Sequence, residues 1–168
     1  MIELRVLTAD DWKDFRALRL AALAEAPHAF GSTLASWSGD GDREDRWRRR
    51  LTIPGSHNLL ALLDGVPVGI ASGVPASPEG APDIELISMW VSPAGRGHGV
   101  GDALVSDIER FARGTGARAL RLAVVPDNPH AFRLYERSGF AATGELGDLM
   151  PDGVRREVVM VKDLTASR

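Results

Sequence analysis

The rhythm of hydrophobic and polar positions changes several times along the chain, and each change predicts an element. Ile2, Leu4 and Val6 alternate with charged residues, the period of a short strand with one buried face. From Trp12 the apolar positions, among them Phe15, Leu18 and Leu23, fall at roughly helical spacing, with Thr8 or Asp10 as caps and Ala26-Pro27 as the stop. Residues 42–51 read as a second, highly charged helix. Residues 58–63 and 66–74 read as strands joined at Asp64-Gly65, a two-residue hairpin signal. A Pro/Ser/Gly/Ala loop over 75–82 then leads into the apolar run 84–91, which predicts a central strand. After Ser92-Pro93 and a glycine-dense loop, a helical stripe runs through Val100, Ala103, Leu104, Ile108, Phe111 and Ala112 to Gly114 and Gly116. Leu120, Leu122 and Val124 form another strand. Asn128-Pro129 supplies an N-cap with proline at the first helical position, opening a helix that runs to Gly139. Residues 140–146 and 154–163 complete the pattern as an antiparallel pair around Pro151-Asp152-Gly153. No repeat or linker interrupts this order, so a single domain over 1–168 is expected.

Composition narrows the class. A net charge of −3 with both signs interspersed argues against nucleic acid or an anionic membrane as partner. The absence of cysteine excludes disulfides, thiolate metal sites and a cysteine nucleophile. His28, His57, His98 and His130 show no metal-ligand spacing, and Ser32 and Ser88 have no adjacent His–Asp signature, so neither a metal nor a serine nucleophile is expected. The charged N-terminus is unlike a signal peptide, and no apolar run approaches the roughly 20 residues a spanning helix needs; a soluble, cytoplasmic protein is the expectation.

The chemistry concentrates around residues 83–105. A strand, a loop containing Arg96-Gly97-His98-Gly99-Val100-Gly101 and a helix start at Asp102 are the parts of an anion site. Glycines let the backbone turn tightly, and free N–H groups of a first helical turn point at negative charge. The loop lacks the Gly-Lys-Ser/Thr of a Walker A motif, and neither glycine pair completes G-x-G-x-x-G, which counts against a nucleotide-binding module. What stands there is R-x-x-G-x-G behind Val91-Ser92-Pro93. In this it resembles the pyrophosphate loop of the GNAT superfamily of acyl-CoA-dependent N-acyltransferases. Asn128, Ala131, Leu134-Tyr135 and Gly139-Phe140 are similar to a second segment of that family, N-x-x-A-x-x-L-Y-x-x-x-G-F, and the resemblance covers nearly the whole chain. His98 departs from the Lys, Arg or Gln more usual at its position.

The resemblance implies an α/β (α+β) fold, a mixed, mostly antiparallel sheet of about seven strands flanked by four helices. It also implies acetyl transfer from acetyl-CoA to a primary amine of a small molecule or peptide N-terminus, by direct attack through a tetrahedral intermediate. The implied cofactor contacts are Met89, Trp90 and Val91 on the central strand, the loop from Arg96 through Gly97, His98, Gly99, Val100 and Gly101 to Asp102, and Asn128 and Tyr135. Homodimers are common in the family. A non-catalytic acyl-CoA-binding module is the alternative.

Magnitudes rank the proton transfers. Freeing an alkylamine of pKa ~10.4 at pH 7 costs roughly 4.6 kcal/mol, whereas expelling a thiol of pKa ~8.5 unprotonated costs roughly 2. A base therefore matters more than an acid. Glu85 is the base candidate by resemblance, with binding of the acceptor's ammonium as its other reading and Asp83 as a weaker alternative. Even spacing puts Glu85, Ile87, Met89 and Val91 on one face unless a bulge intervenes. Tyr135 is the acid candidate toward the thioester sulfur. Phe30, Trp37 and Trp90 are candidates for the acceptor wall, Trp12 and Trp47 for packing. The arginines of 43–50 read most simply as a solvated face, with steering of the anionic cofactor as the other role.

Overall fold

The computed structural model describes residues 1–26, 32–77, 83–150 and 152–165. Seven strands and four α-helices follow in chain order: β1 (Ile2–Val6), α1 (Trp12–Glu25), α2 (Glu44–Leu51), β2 (His57–Leu63), β3 (Val66–Pro75), β4 (Asp83–Val91), α3 (Val100–Gly114), β5 (Ala119–Val124), α4 (Pro129–Arg137), β6 (Ala141–Leu149) and β7 (Arg156–Asp163). They form one sheet in the order β1-β2-β3-β4-β5-β7-β6. Only β4 and β5 run parallel, because a helical crossover, α3, joins them; the other pairs are antiparallel.

Local chemistry explains the boundaries. Asp64 (φ 51°) and Gly65 (φ 83°) carry the positive φ values of a tight hairpin turn between β2 and β3. Thr8 caps a short 3-10 turn ahead of α1, reciprocated by the Asp11 carboxylate on the Thr8 N–H at 2.8 Å. Asn128 Oδ1 accepts from the Ala131 N–H at 3.2 Å, capping α4 as its sequence requires. β6 runs three residues past the expected 140–146, and β7 starts two residues after the expected 154.

Two cores sit on opposite faces of the sheet. One packs α3 and α4 on Ala71, Ile84, Leu86 and Leu120; the other packs α1 and α2 on Leu60, Ile70 and Trp90 around the fully buried Phe15, Leu23 and Trp47. Glycines bring α3 close to β3. A Cβ at Gly69 would meet Trp90 O at 3.0 Å and Leu104 Cδ1 at 3.2 Å. Among the described residues no helix is long and apolar enough to cross a membrane.

The face expected for β4 is corrected at Ser88. The β3–β4 register slips between Ile70/Trp90 and Ser72/Ile87, and Ser88 takes φ 55°. This bulge swaps the faces of the strand. Glu85 and Ile87, opposite Val74 and Ser72, share the α1/α2 face with Trp90, whereas Met89 and Val91 join the α3 core.

Candidate active site

Pairing between β4 and β5 runs only from Asp83↔Ala119 to Glu85↔Arg121. Beyond that point the two strands part, and a cleft of about 1530 Å³ opens between them, lined by residues 85–91 of β4 and 122–125 at the end of β5. Backbone groups of β4 facing this gap have no strand partner on that side, which leaves them for an extended ligand.

One end of the cleft is the glycine loop. Gly97 (φ 80°) and Gly99 (φ 83°) are left-handed, and a Cβ at either would touch nothing within 4 Å. Backbone conformation, then, is what requires glycine at both positions. Gly99 is the N-cap residue of α3 and no side chain caps the helix, so the first-turn amides stay open toward the cleft. Asp102, a carboxylate in this turn, is held by a bidentate pair with Arg137 at 3.0 and 3.1 Å, which offsets its charge beside the open first-turn amides. Arg96 donates from Nε to Val91 O at 3.0 Å and pairs through Nη2 with Glu25 of α1. His98 is exposed and outside the lining.

On the α4 side, Asn128 and Tyr135 both line the cleft. The Asn128 side-chain oxygen is committed to the cap, leaving its amide N–H groups for a ligand. Tyr135 is 7% exposed, packs edge-to-face on Phe140 at 5.9 Å, and burial pushes its phenol above the ordinary value. Met89 and Leu134 lie against Gly101, where an added Cβ would meet Leu134 Cδ2 at 3.2 Å and Met89 Cε at 3.5 Å.

The other end carries Glu85. It is half-buried, and burial raises its carboxyl above the usual range; Asp148 adds to the shift and Arg121 opposes it. Glu157 is raised for related reasons, first by burial, then by Asp148 and Glu85. Asp83 is not among the residues lining the cleft, and its carboxylate lies 4.0 Å from Arg121.

The α1/α2 wall corrects the reading of the arginine run. Arg48 and Arg49 do pair at the surface with Glu44, Asp10 and Asp45. Arg50, one turn after buried Trp47, points inward instead, where its guanidinium donates to Asn58 Oδ1 at 3.1 Å, Ser72 Oγ at 3.1 Å and Ser88 Oγ at 3.0 Å. Arg19 of α1 is 8% exposed and lines the same wall. Burial lowers both guanidiniums to about 10, and Arg19 adds repulsion at Arg50. Trp37 lines the cleft, tilted on Trp47 at 4.5 Å with the Arg46 guanidinium over its ring at 3.6 Å from the centroid. Trp47 packs, and Phe30 lies outside the described residues. Sequence reasoning missed Arg19, Arg50, Arg137, Asp148 and Glu157; only the three-residue offset of Arg50 from Trp47 was visible along the chain. No group of three or more His, Asp or Glu among the described residues is arranged to hold a metal ion.

Comparison with known proteins gives a consistent picture. Residues 15–140 match the Acetyltransferase (GNAT) family. The chain is 30% identical over 131 residues to the L-amino acid N-acyltransferase MnaT of Escherichia coli (strain K12), covering 75% of this chain and 76% of that one. It is 33% identical over 110 residues to an N-acetyltransferase family 8 protein of Mus musculus, covering 64% of this chain and about half (48%) of the longer relative. A GCN5-related N-acetyltransferase from Kribbella flavida superposes with a TM-score of 0.75 at 27% identity, covering 97% of this chain and 98% of that one. An acetyltransferase from Salmonella typhimurium, solved with its cofactor acetyl-CoA, has a TM-score of 0.77 at 20% identity over 100% and 96% of the two chains, a likeness of fold.

Proposed function

The chain belongs to the GNAT acetyltransferase family, and from that premise we propose that it transfers an acetyl group from acetyl-CoA to a primary amine by direct attack, without a covalent enzyme intermediate. The observation that carries this reading is the parting of β4 from β5 beyond Glu85, with open amides at one end of the gap and a raised carboxylate at the other.

The residues fit the co-substrate. The Gly97–Asp102 amides suit a pyrophosphate, the unpaired edge of β4 suits the amide-bearing pantetheine arm, and the free Asn128 amide reaches the same cleft. When bound, acetyl-CoA supplies the thioester; this chain supplies what moves protons and holds charge. Glu85 takes a proton from the acceptor ammonium, directly or through one water, and its raised carboxyl is better matched to that task than an ordinary glutamate. A backbone N–H of β4 at the bulge serves the developing oxyanion, a contribution of about 3 kcal/mol. Tyr135 lines the cleft from α4 and would serve the leaving sulfur. Its phenol lies above a thiol of pKa ~8.5, so full proton transfer runs uphill and Tyr135 acts first as a hydrogen-bond donor to the leaving thiolate.

β6 is an edge strand whose Leu146 and Leu149 are 62% and 49% exposed, and a second copy pairing there would make a dimer. Light scattering tests that part.

The test of the activity is calorimetry with acetyl-CoA, CoA and ATP, followed by thioester consumption against an amine panel. Micromolar acetyl-CoA binding, abolished in Gly99→Glu, together with amine-dependent thiol release is the expected result. Binding without turnover on any amine would mean a non-catalytic acyl-CoA module, and absence of CoA binding would overturn the reading.

A further inference from the structure

Two arginines face the cleft from the α1/α2 wall, and the transfer chemistry uses neither. The hydrogen-bond partners of Arg50 are Asn58, Ser72 and Ser88, all neutral. Among the described residues no carboxylate comes within 4.0 Å of its guanidinium. Arg19 lines the same wall at 8% exposure, close enough for the two charges to repel. With guanidiniums near 10, both stay cationic at neutral pH, and among the described residues Arg50 brings its charge to this wall with no carboxylate paired to it.

A second feature points the same way. Trp90 is 7% exposed, shares the β4 face of Glu85 and lines the cleft, yet its indole N–H has no hydrogen-bond partner among the described residues. A buried donor left unmade is rare unless a ligand completes it. Ser88, between Glu85 and Trp90, turns its hydroxyl to Arg50. Arg50, tied to Ser88, and Trp90 thus both line the cleft on the glycine-loop side of Glu85, with Ser88 roughly three strand residues or about 10 Å along β4 from it. At the Glu85 end the charge is opposite, because Asp148 and Glu157 also line the cleft there. The acceptor side is thus negative where the amine would lose its proton and positive beyond it.

We propose that the acceptor is a small amino carboxylate: its amine lies toward Glu85 and its carboxylate is held by Arg50, with the Trp90 N–H as a further donor. This rests on the acetyl-transfer reading above. The partly exposed ring of Trp37 on the same wall suits an apolar side chain.

The experiment compares L-leucine, L-phenylalanine and 4-aminobutyrate with their carboxamides, which keep the amine and remove the negative charge. Calorimetric binding in the presence of CoA and kcat/KM with acetyl-CoA are both measured, on wild type and on Arg50→Gln and Arg50→Lys. At least one acid is expected to exceed its amide by about 10–100-fold, the range of a charge-assisted contact. Arg50→Gln should narrow that ratio toward one, with Arg50→Lys intermediate because a point charge replaces the planar fork. Amides binding as well as acids in wild type would overturn the proposal, and so would a preference that survives in a folded Arg50→Gln. The wild-type comparison stands even if the variants fail to fold. Acid-selective binding without acetyl transfer would uphold the carboxylate site while sinking the transferase reading; amine turnover with no preference for acids would do the reverse.

Discussion

Arg50 Nη2 lies 3.0 Å from the hydroxyl of Ser88, a residue held at φ 55° where β4 bulges. The contact ties α2 to the point at which the central strand exchanges its faces. Without the bulge, Glu85 and Met89 would share one face; with it, the carboxylate faces the α1/α2 wall and Met89 packs toward α3. A left-handed serine costs about 1–2 kcal/mol relative to glycine, so the bulge depends on what surrounds it.

Ser88→Ala keeps the strained conformation and removes one of the three acceptors of Arg50. A loss of about 1.5–3 kcal/mol is expected from urea unfolding, at the level of a hydrogen bond to a charged group. Ser88→Gly relieves the strain and should recover part of it.

Glu85→Gln should reduce kcat/KM by about 10²–10⁴-fold at pH 7 and by less at pH 9, where free amine is more abundant. The carboxyl is raised by burial, so the acid limb of the wild-type profile should lie above the ordinary glutamate value and vanish in the variant. A deficit equal at both pH values would make Glu85 a binding residue only.

The same substitution should stabilise the fold. A carboxyl whose folded pKa exceeds its usual 4.5 binds its proton more tightly when folded. Its contribution is full below the unfolded value and is lost as pH rises through the folded one. Glu85→Gln should therefore raise the Tm at pH 7 and give no gain at pH 4, read by scanning calorimetry.

Tyr135→Phe should lower kcat by up to roughly 30-fold, the equivalent of ~2 kcal/mol, with acetyl-CoA affinity little changed. Single-turnover kinetics isolates the chemical step. An unchanged rate there would remove Tyr135 from the mechanism.

The loop glycines should separate by cause. At Gly97 the left-handed φ is the constraint and space is open, so Asn, which tolerates that region, should be better than Ala. A Cβ at Gly95 would meet Val68 Cβ at 2.7 Å, so Ala should cost about 1–3 kcal/mol and the larger Asn more. Urea midpoints of the four variants give the order.

Much of the fold was legible along the chain because its cues are local. The Asp64-Gly65 turn, the Asn128-Pro129 cap, the stripe of α3 and the glycine loop each depend on residues within a few positions of one another, and each forms where expected. The arginine run was misread because burial is a property of what packs opposite. Nothing near Arg50 announces Asn58, Ser72 and Ser88, which arrive from three different strands.

The sequence by itself determined the elements, their order, the family likeness and the glycine loop, since periodicity, turn chemistry and capping act over a turn or two of chain. Tertiary structure alone decided where β4 leaves β5, which face of β4 carries Glu85, and how Asp148 and Glu157 at one end oppose Arg19 and Arg50 at the other. Those outcomes depend on register, a single bulge and charges brought together from distant segments, and through-space electrostatics has no period for a sequence to display.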